Sequence, residues 1–239
     1  MTKKLNRDFI KILIVVLVFV DHIGYTLNNI LPEWLYICLR CLGRIFPMIC
    51  YLVADSFYYT HSAKKYITTL LIFGVISIIP SYLMQGKFIF NVLFTYALSC
   101  CLMLMYNKLY RENTTQNKTK FIAGICIISF AVLVMDSLGI GPEYGLYGVL
   151  LPFVFYVLRG NKPSQCLAFL TLFILNFLYS WISYSIITQW SLIQIFSLLN
   201  IVLIINYNGE KGKINAKYLF YWAYPLSMLI PYFIKLIVL

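Results

Sequence analysis

Long apolar runs follow one another along almost the whole chain, each broken by a short polar connection. A helix needs about 20 apolar residues to cross ~30 Å of hydrocarbon. Runs near that length occupy Phe9 to Leu27, Trp34 to Tyr59, Tyr66 to Met84, Phe88 to Tyr106, Phe121 to Leu138, a shorter Tyr144 to Leu158, Gln165 to Ile187, Trp190 to Tyr207 and Tyr218 to Leu239. The pattern predicts an all-α fold: a polytopic integral membrane helical bundle of about nine transmembrane helices, forming one domain over residues 1–239.

The connections hold the charge, and they hold it unevenly. Lys3, Lys4 and Arg7 come first, then Lys64 and Lys65, then Lys108, Arg111, Lys118 and Lys120, then Arg159 and Lys162, then Lys211, Lys213 and Lys217. The connections between these hold Glu33, Lys87, Glu143 and an uncharged Ile187-Thr188-Gln189. Basic residues stay on the cytoplasmic side of a membrane, so the alternation predicts a cytoplasmic amino terminus and an outer carboxyl terminus in a plasma or inner membrane. No small-x-small cleavage site follows the first run, which is therefore expected to remain a span.

Composition supports the same solvent. With 62% hydrophobic and 11% charged residues, a soluble chain would lack the polar surface to cover its core. The net charge of +11 then orients spans in a lipid bilayer; a nucleic-acid partner is not expected. Seven cysteines lie mostly in apolar segments, and Cys38-x-x-Cys41 is an isolated pair. Metal sites of this type need a second pair, so no metal is expected.

Against that background the ionisable residues inside the spans stand out, since each costs roughly 2.5–3.5 kcal/mol at the bilayer centre and tends to mark a site. Lys11 and His22 share one face of the first helix, about three turns and ~16 Å apart. Lys11 reads as a cation snorkelling to the inner headgroups or as a site residue. His22 reads as an interfacial histidine or as a general base or acyl acceptor, the imidazole being suited to proton transfer near neutral pH. Asp21 points roughly 100° away around the helix and is expected to meet another helix.

A single helix over Trp34 to Tyr59 would project Arg40, Arg44 and Asp55 from one face. The two guanidiniums could cradle phosphate or carboxylate, or pair with Asp21 or Asp55 as a structural ion network; both readings stay open. Pro47 frees the carbonyl of Gly43 and is expected to kink the helix beside Arg44. Asn91, Thr95 and Ser99 form a polar stripe that reads as interhelical glue or part of a site. Tyr144-Gly145-Leu146-Tyr147-Gly148 lets backbones approach closely, and Tyr221-Trp222-Ala223-Tyr224-Pro225-Leu226-Ser227 reads as an interfacial aromatic belt.

Taken in order, Val20-Asp21-His22-Ile23-Gly24, Leu39-Arg40-Cys41-Leu42-Gly43-Arg44-Ile45-Phe46-Pro47, Asn91-Val92-Leu93-Phe94-Thr95 and Tyr144-Gly145-Leu146-Tyr147-Gly148-Val149-Leu150 resemble the TraX family. The resemblance resumes at Tyr221 to Ser227. It implies a polytopic membrane acyltransferase of the pilin N-acetyltransferase type, distantly similar to the type-three membrane acyltransferases, whose basic-residue-x10-His pattern is like the Lys11 to His22 spacing. Acetyl-CoA is the implied acyl donor, and a pilin-like protein or a cell-surface glycan the implied acceptor. The implied catalytic residues are His22, Asp21 and Arg44; the implied substrate- or cofactor-binding residues are Lys11, Arg40, Asp55, Asn91, Thr95, Tyr147, Tyr224 and Ser227. Two positions depart from the family's usual pattern: Ser227 stands where the family often has His, and Asp55-Ser56 where it often has Glu-Gly. The rival readings are a transporter or flippase using the same buried charges, and a non-catalytic assembly factor for a surface fibre.

Overall fold

The computed structural model describes residues 5–184, 189–210 and 217–238. Lys3, Lys4, Lys211, Lys213, the connection at Ile187-Thr188 and the expected span end at Leu239 lie outside them. Twelve α-helices form among the described residues: α1 (Arg7–Thr26), α2 (Glu33–Leu42), α3 (Phe46–Tyr59), α4 (Ala63–Ile76), α5 (Ile78–Gln85), α6 (Val92–Glu112), α7 (Thr115–Ser137), α8 (Gly145–Val157), α9 (Lys162–Tyr184), α10 (Gln189–Ile195), α11 (Asn200–Asn206) and α12 (Lys217–Val238). One 3-10 turn, Phe196–Leu199, joins α10 to α11. The chain is all-helical, and no strand forms among the described residues beyond two isolated bridges.

Six of these segments are long and apolar enough to cross a membrane, with α2 and α3 counted as one, and a seventh if α4 and α5, bent by 43°, make one span. The expected sixth and eighth spans coincide with shorter apolar helices, α8 and Leu192–Asn206. The protein is therefore a multi-pass membrane helical bundle. Its outward faces carry large apolar side chains such as Ile127, Phe130, Ile182 and Ile237, as hydrocarbon requires.

Expectation and structure part company in the second run. A continuous helix from Trp34 to Tyr59 was expected to align Arg40, Arg44 and Asp55, but the helix stops at Leu42 and restarts at Phe46. Pro47 has no N–H to return to the Gly43 carbonyl, which instead accepts the Ile45 amide at 2.7 Å. Proline is comfortable in a helix's first turn and disruptive further in, so the kink becomes a break and the shared face is lost.

The chain divides into two compact units. One holds Met1–Ile49, Ile79–Gly86 and Leu170–Leu239; the other holds Cys50–Ile78 and Lys87–Phe169. In the first, α1 lies against both α2 and α12. The start of the chain is stitched to the end of α11: Leu5 N–H donates to the Asn206 carbonyl at 2.9 Å, Asn208 N–H to the Leu5 carbonyl at 3.0 Å, and Arg7 Nε to the Tyr207 hydroxyl at 3.2 Å. In the second, α6 is central and packs on α4, α7 and α8. Leu102, Val132 and Val149 form its fully buried centre.

Polar residues of α6 lock this second unit together. Asn91 Oδ1 accepts the Leu93 amide at 3.1 Å and caps the helix, while Nδ2 donates to the Gly74 carbonyl on α4 at 2.8 Å. Thr95 donates to the Glu143 carbonyl at 2.8 Å, and Glu143 Oε2 accepts the Val92 amide at 3.1 Å. Gly148 leaves room for this contact, since a Cβ there would stand 2.8 Å from the Thr95 methyl. Each bond satisfies a backbone group at a helix end, where water is unavailable in a bilayer. Asn91→Ala removes two of them and should cost about 2–3 kcal/mol, against about 1 kcal/mol for Thr95→Val. Thermal unfolding in detergent checks this; an Asn91→Ala protein that melts like the parent would remove Asn91 from the architecture.

Candidate functional site

The site grows from two neighbouring residues on α1 that face different helices. Successive helical positions are about 100° apart, so Asp21 meets α2 while His22 meets α12. Asp21 Oδ1 pairs with Arg40 Nη1 at 2.7 Å and also with Arg44 Nη2. Arg40 Nη1 additionally donates to the Asp21 carbonyl at 3.2 Å, and Arg44 Nε donates to the Arg40 carbonyl at 3.0 Å. The Arg40 guanidinium lies 5.2 Å from the centre of the Tyr25 ring, a cation–π distance. Both arginines are all but buried, at 3% and 4% exposure. One carboxylate is thus shared by two desolvated guanidiniums.

Close approach of α1 and α2 makes the cluster possible, and two glycines permit it. A Cβ on Gly24 would stand 2.9 Å from the Leu39 Cβ and 3.3 Å from Arg40 Cδ. At Gly43 it would overlap the side chain of Asp21 itself. The break after α2 also has an anchor: Asn200 at the start of α11 donates from Nδ2 to the Arg44 carbonyl at 2.7 Å and to the Ser197 carbonyl at 2.6 Å. The close-approach role of Gly24 and Gly43, and the anchoring by Asn200, were not expected from the sequence. The signal for the glycines was their place beside charged residues inside apolar runs, and for Asn200 its isolation in Leu198-Leu199-Asn200-Ile201.

Facing α12, His22 Nδ1 is 2.7 Å from Ser227 Oγ, and its ring stands 6.1 Å from that of Tyr224, tilted by 60°. Ser227 is fully buried and donates to the Tyr224 carbonyl at 2.7 Å. Asp21, Arg40 and Arg44 are close enough for their charges to act on the imidazole. The structure therefore gathers Asp21, His22, Arg40, Arg44, Tyr224 and Ser227 in one unit. Lys11 is on the same helix three turns earlier, ~16 Å along the axis, too far to touch His22.

The remaining candidates belong to the other unit. Asp55 pairs there with Arg159 at 3.1 Å, and the Arg159 guanidinium is stacked 3.5 Å from the Tyr58 ring and 4.8 Å from Tyr59. Asn91 and Thr95 make the locking bonds described above, and Tyr147 lies in the first turn of α8 near Cys50 and Tyr144.

Chemically, the first unit offers an imidazole and paired, buried cations within apolar helices. The cations are held by fork geometry that lysine could not reproduce. Removing the carboxylate should be costly, because breaking one side of a buried ion pair leaves an uncompensated charge worth about 3–5 kcal/mol. Asp21→Asn is expected to lower the unfolding midpoint in detergent sharply, and a second substitution, Arg44→Leu, to recover part of the loss. Additive destabilisation by the two changes would show that Asp21 and Arg44 are not coupled.

Comparison with known proteins bears on what this arrangement belongs to. Over 183 residues the chain is 27% identical to the "Probable fimbrial assembly protein FimC, serogroup H1" of Dichelobacter nodosus, covering 69% of each. No solved structure matches it. The model of the family described as TraX protein matches residues 6–235, nearly the whole chain and both of its units. This multi-pass membrane protein belongs to the TraX family.

Proposed function

We propose that the protein is an integral membrane acyltransferase that moves an acetyl group from acetyl-CoA to an amine or hydroxyl acceptor on a surface-fibre subunit or a cell-surface glycan. One observation carries the reading: a histidine anchored through one ring nitrogen stands within electrostatic reach of two buried guanidiniums that share a single carboxylate. Acyl transfer needs a group to take the proton of the attacking amine or hydroxyl, and positive charge or hydrogen-bond donors where the acyl oxygen becomes negative. Acetyl-CoA supplies the activated thioester. His22 accepts the acceptor's proton and later returns one to the departing thiolate, while Arg40 and Arg44 stabilise the charge developing on the oxygen. Asp21 holds both arginines in place.

The buried arginines suit the thioester end of the donor, a dry site strengthening their effect on a developing charge. The named relative favours a fibre subunit as acceptor. The same name also supports a second reading, a non-catalytic assembly factor for a surface fibre, which would tolerate loss of His22.

The proposed orientation has a cytoplasmic amino terminus and an outer carboxyl terminus. Its support is the basic residues of alternate connections; contacts within each unit, Leu5 with Tyr207, Phe90 with Pro142 and the end of α3 with Arg159, fit the same pairing of sides. A cytoplasm-active reporter inserted after Asn113 should give signal, and the same reporter at the carboxyl terminus should give none. Reversed signals would invert the assignment.

Purified protein given acetyl-CoA and a suitable acceptor should release CoA. His22→Ala should slow release at least ~10²-fold, the range for losing a positioned base, in a protein whose melting temperature is unchanged. Arg44→Lys should fail almost as fully as Arg44→Ala, because a point charge does not replace a planar fork. Full activity in well-folded His22→Ala would eliminate His22 as the base, whereas a well-folded parent that releases no CoA with any fibre-subunit or glycan acceptor would leave the assembly factor or a transporter.

A further inference from the structure

Ser227 stands where the family's usual pattern has a second histidine, yet its hydroxyl is placed with unusual definition. Its Oγ lies 2.7 Å from His22 Nδ1 and 2.7 Å from the carbonyl oxygen of Tyr224. Both separations are those of full hydrogen bonds. A hydroxyl has one proton to donate and a carbonyl oxygen can only accept, so the Ser227 proton points at Tyr224, the turn-back bond that serine makes inside helices. Were it to point at His22 instead, two oxygen lone pairs would face each other at 2.7 Å in a fully buried position. The bond to the ring must then run the other way, from Nδ1–H to Ser227.

We infer that Ser227 is a positioning residue: it fixes His22 as the Nδ1–H tautomer and leaves the lone pair on Nε2. The inference rests on the reading of His22 as proton acceptor, and it names the atom concerned. The proton leaving the attacking amine or hydroxyl goes to Nε2 as the new carbon–nitrogen or carbon–oxygen bond forms. The imidazolium keeps its Nδ1–H on Ser227 throughout, and as the carbon–sulfur bond breaks the Nε2 proton goes to the thiolate. A neutral hydroxyl orients the ring without taking the proton itself, so a second imidazole is not needed for this role.

The tautomer can be read without any turnover. The chain has two histidines, and in a His61→Gln background isotopically labelled His22 gives the sole imidazole signals. Nitrogen NMR of the protein in lipid, with the ring neutral, should show Nδ1 protonated and Nε2 bare. Ser227→Ala should mix the two tautomers, and Ser227→Thr, which keeps the hydroxyl, should preserve the first. In the CoA-release assay Ser227→Ala should lower kcat about tenfold or more with KM little changed, and Ser227→Thr should restore it. A parent spectrum with Nε2 protonated, or an unaltered spectrum in Ser227→Ala, overturns the inference; if Ser227→Ala fails to fold, the parent and Ser227→Thr spectra decide. Should the tautomer pattern hold while no acceptor is ever acetylated, it is the acyltransferase reading that falls.

Discussion

Everything at the candidate site depends on one carboxylate. An arginine buried in a membrane helix without a counter-charge is strongly disfavoured, and here two arginines are buried within four residues, Arg40 on α2 and Arg44 in the break that follows it. Asp21 Oδ1 meets both. That shared oxygen sets the spacing of α1 and α2, which in turn demands glycine at positions 24 and 43. The same helix rotation that aims Asp21 at α2 aims His22 at α12. Charge pairing and histidine placement are thus two results of one helix phase.

How far the site could be read from sequence follows from which physical signals are local. Apolar length and charge alternation made the membrane bundle legible, and helical phase placed Asp21 and His22 on different neighbours. The break at Gly43 was not legible in the same way, because the apolar run continues on both sides of it, from Trp34 to Tyr59, and only backbone hydrogen bonding decides whether Pro47 bends a helix or begins one. Asp55 therefore looked like a partner of Arg44 and is instead the partner of Arg159, more than a hundred positions on. Asn91 and Thr95 carry side chains equally fit for a ligand and for a helix end; only their partners, Gly74 and Glu143, show the structural use.

The two units differ in how they use polar atoms. In the second, the bonds of Asn91, Thr95 and Glu143 satisfy backbone groups, and the Asp55–Arg159 pair leaves its guanidinium side chain 30% exposed. In the first, the polar atoms are charges and a base, held by close packing of α1 against its neighbours. A region that retains several ionisable groups in hydrocarbon accepts a stability cost, and chemistry is the usual compensation. That contrast is the physical ground for seeking activity around α1.

The position of Ser227 on α12, far along the chain from α1, has a bearing on how the chain is made. Synthesis delivers α2 to the bilayer soon after α1, and α12 only much later. Asp21 can therefore find its arginines early, as the first two helices enter together like a hairpin, and the charges need not wait exposed to lipid. His22 has no such early partner. Its Ser227 contact forms only when α12 docks, so a chain stopped before α12 would shelter its charges while leaving the imidazole unset.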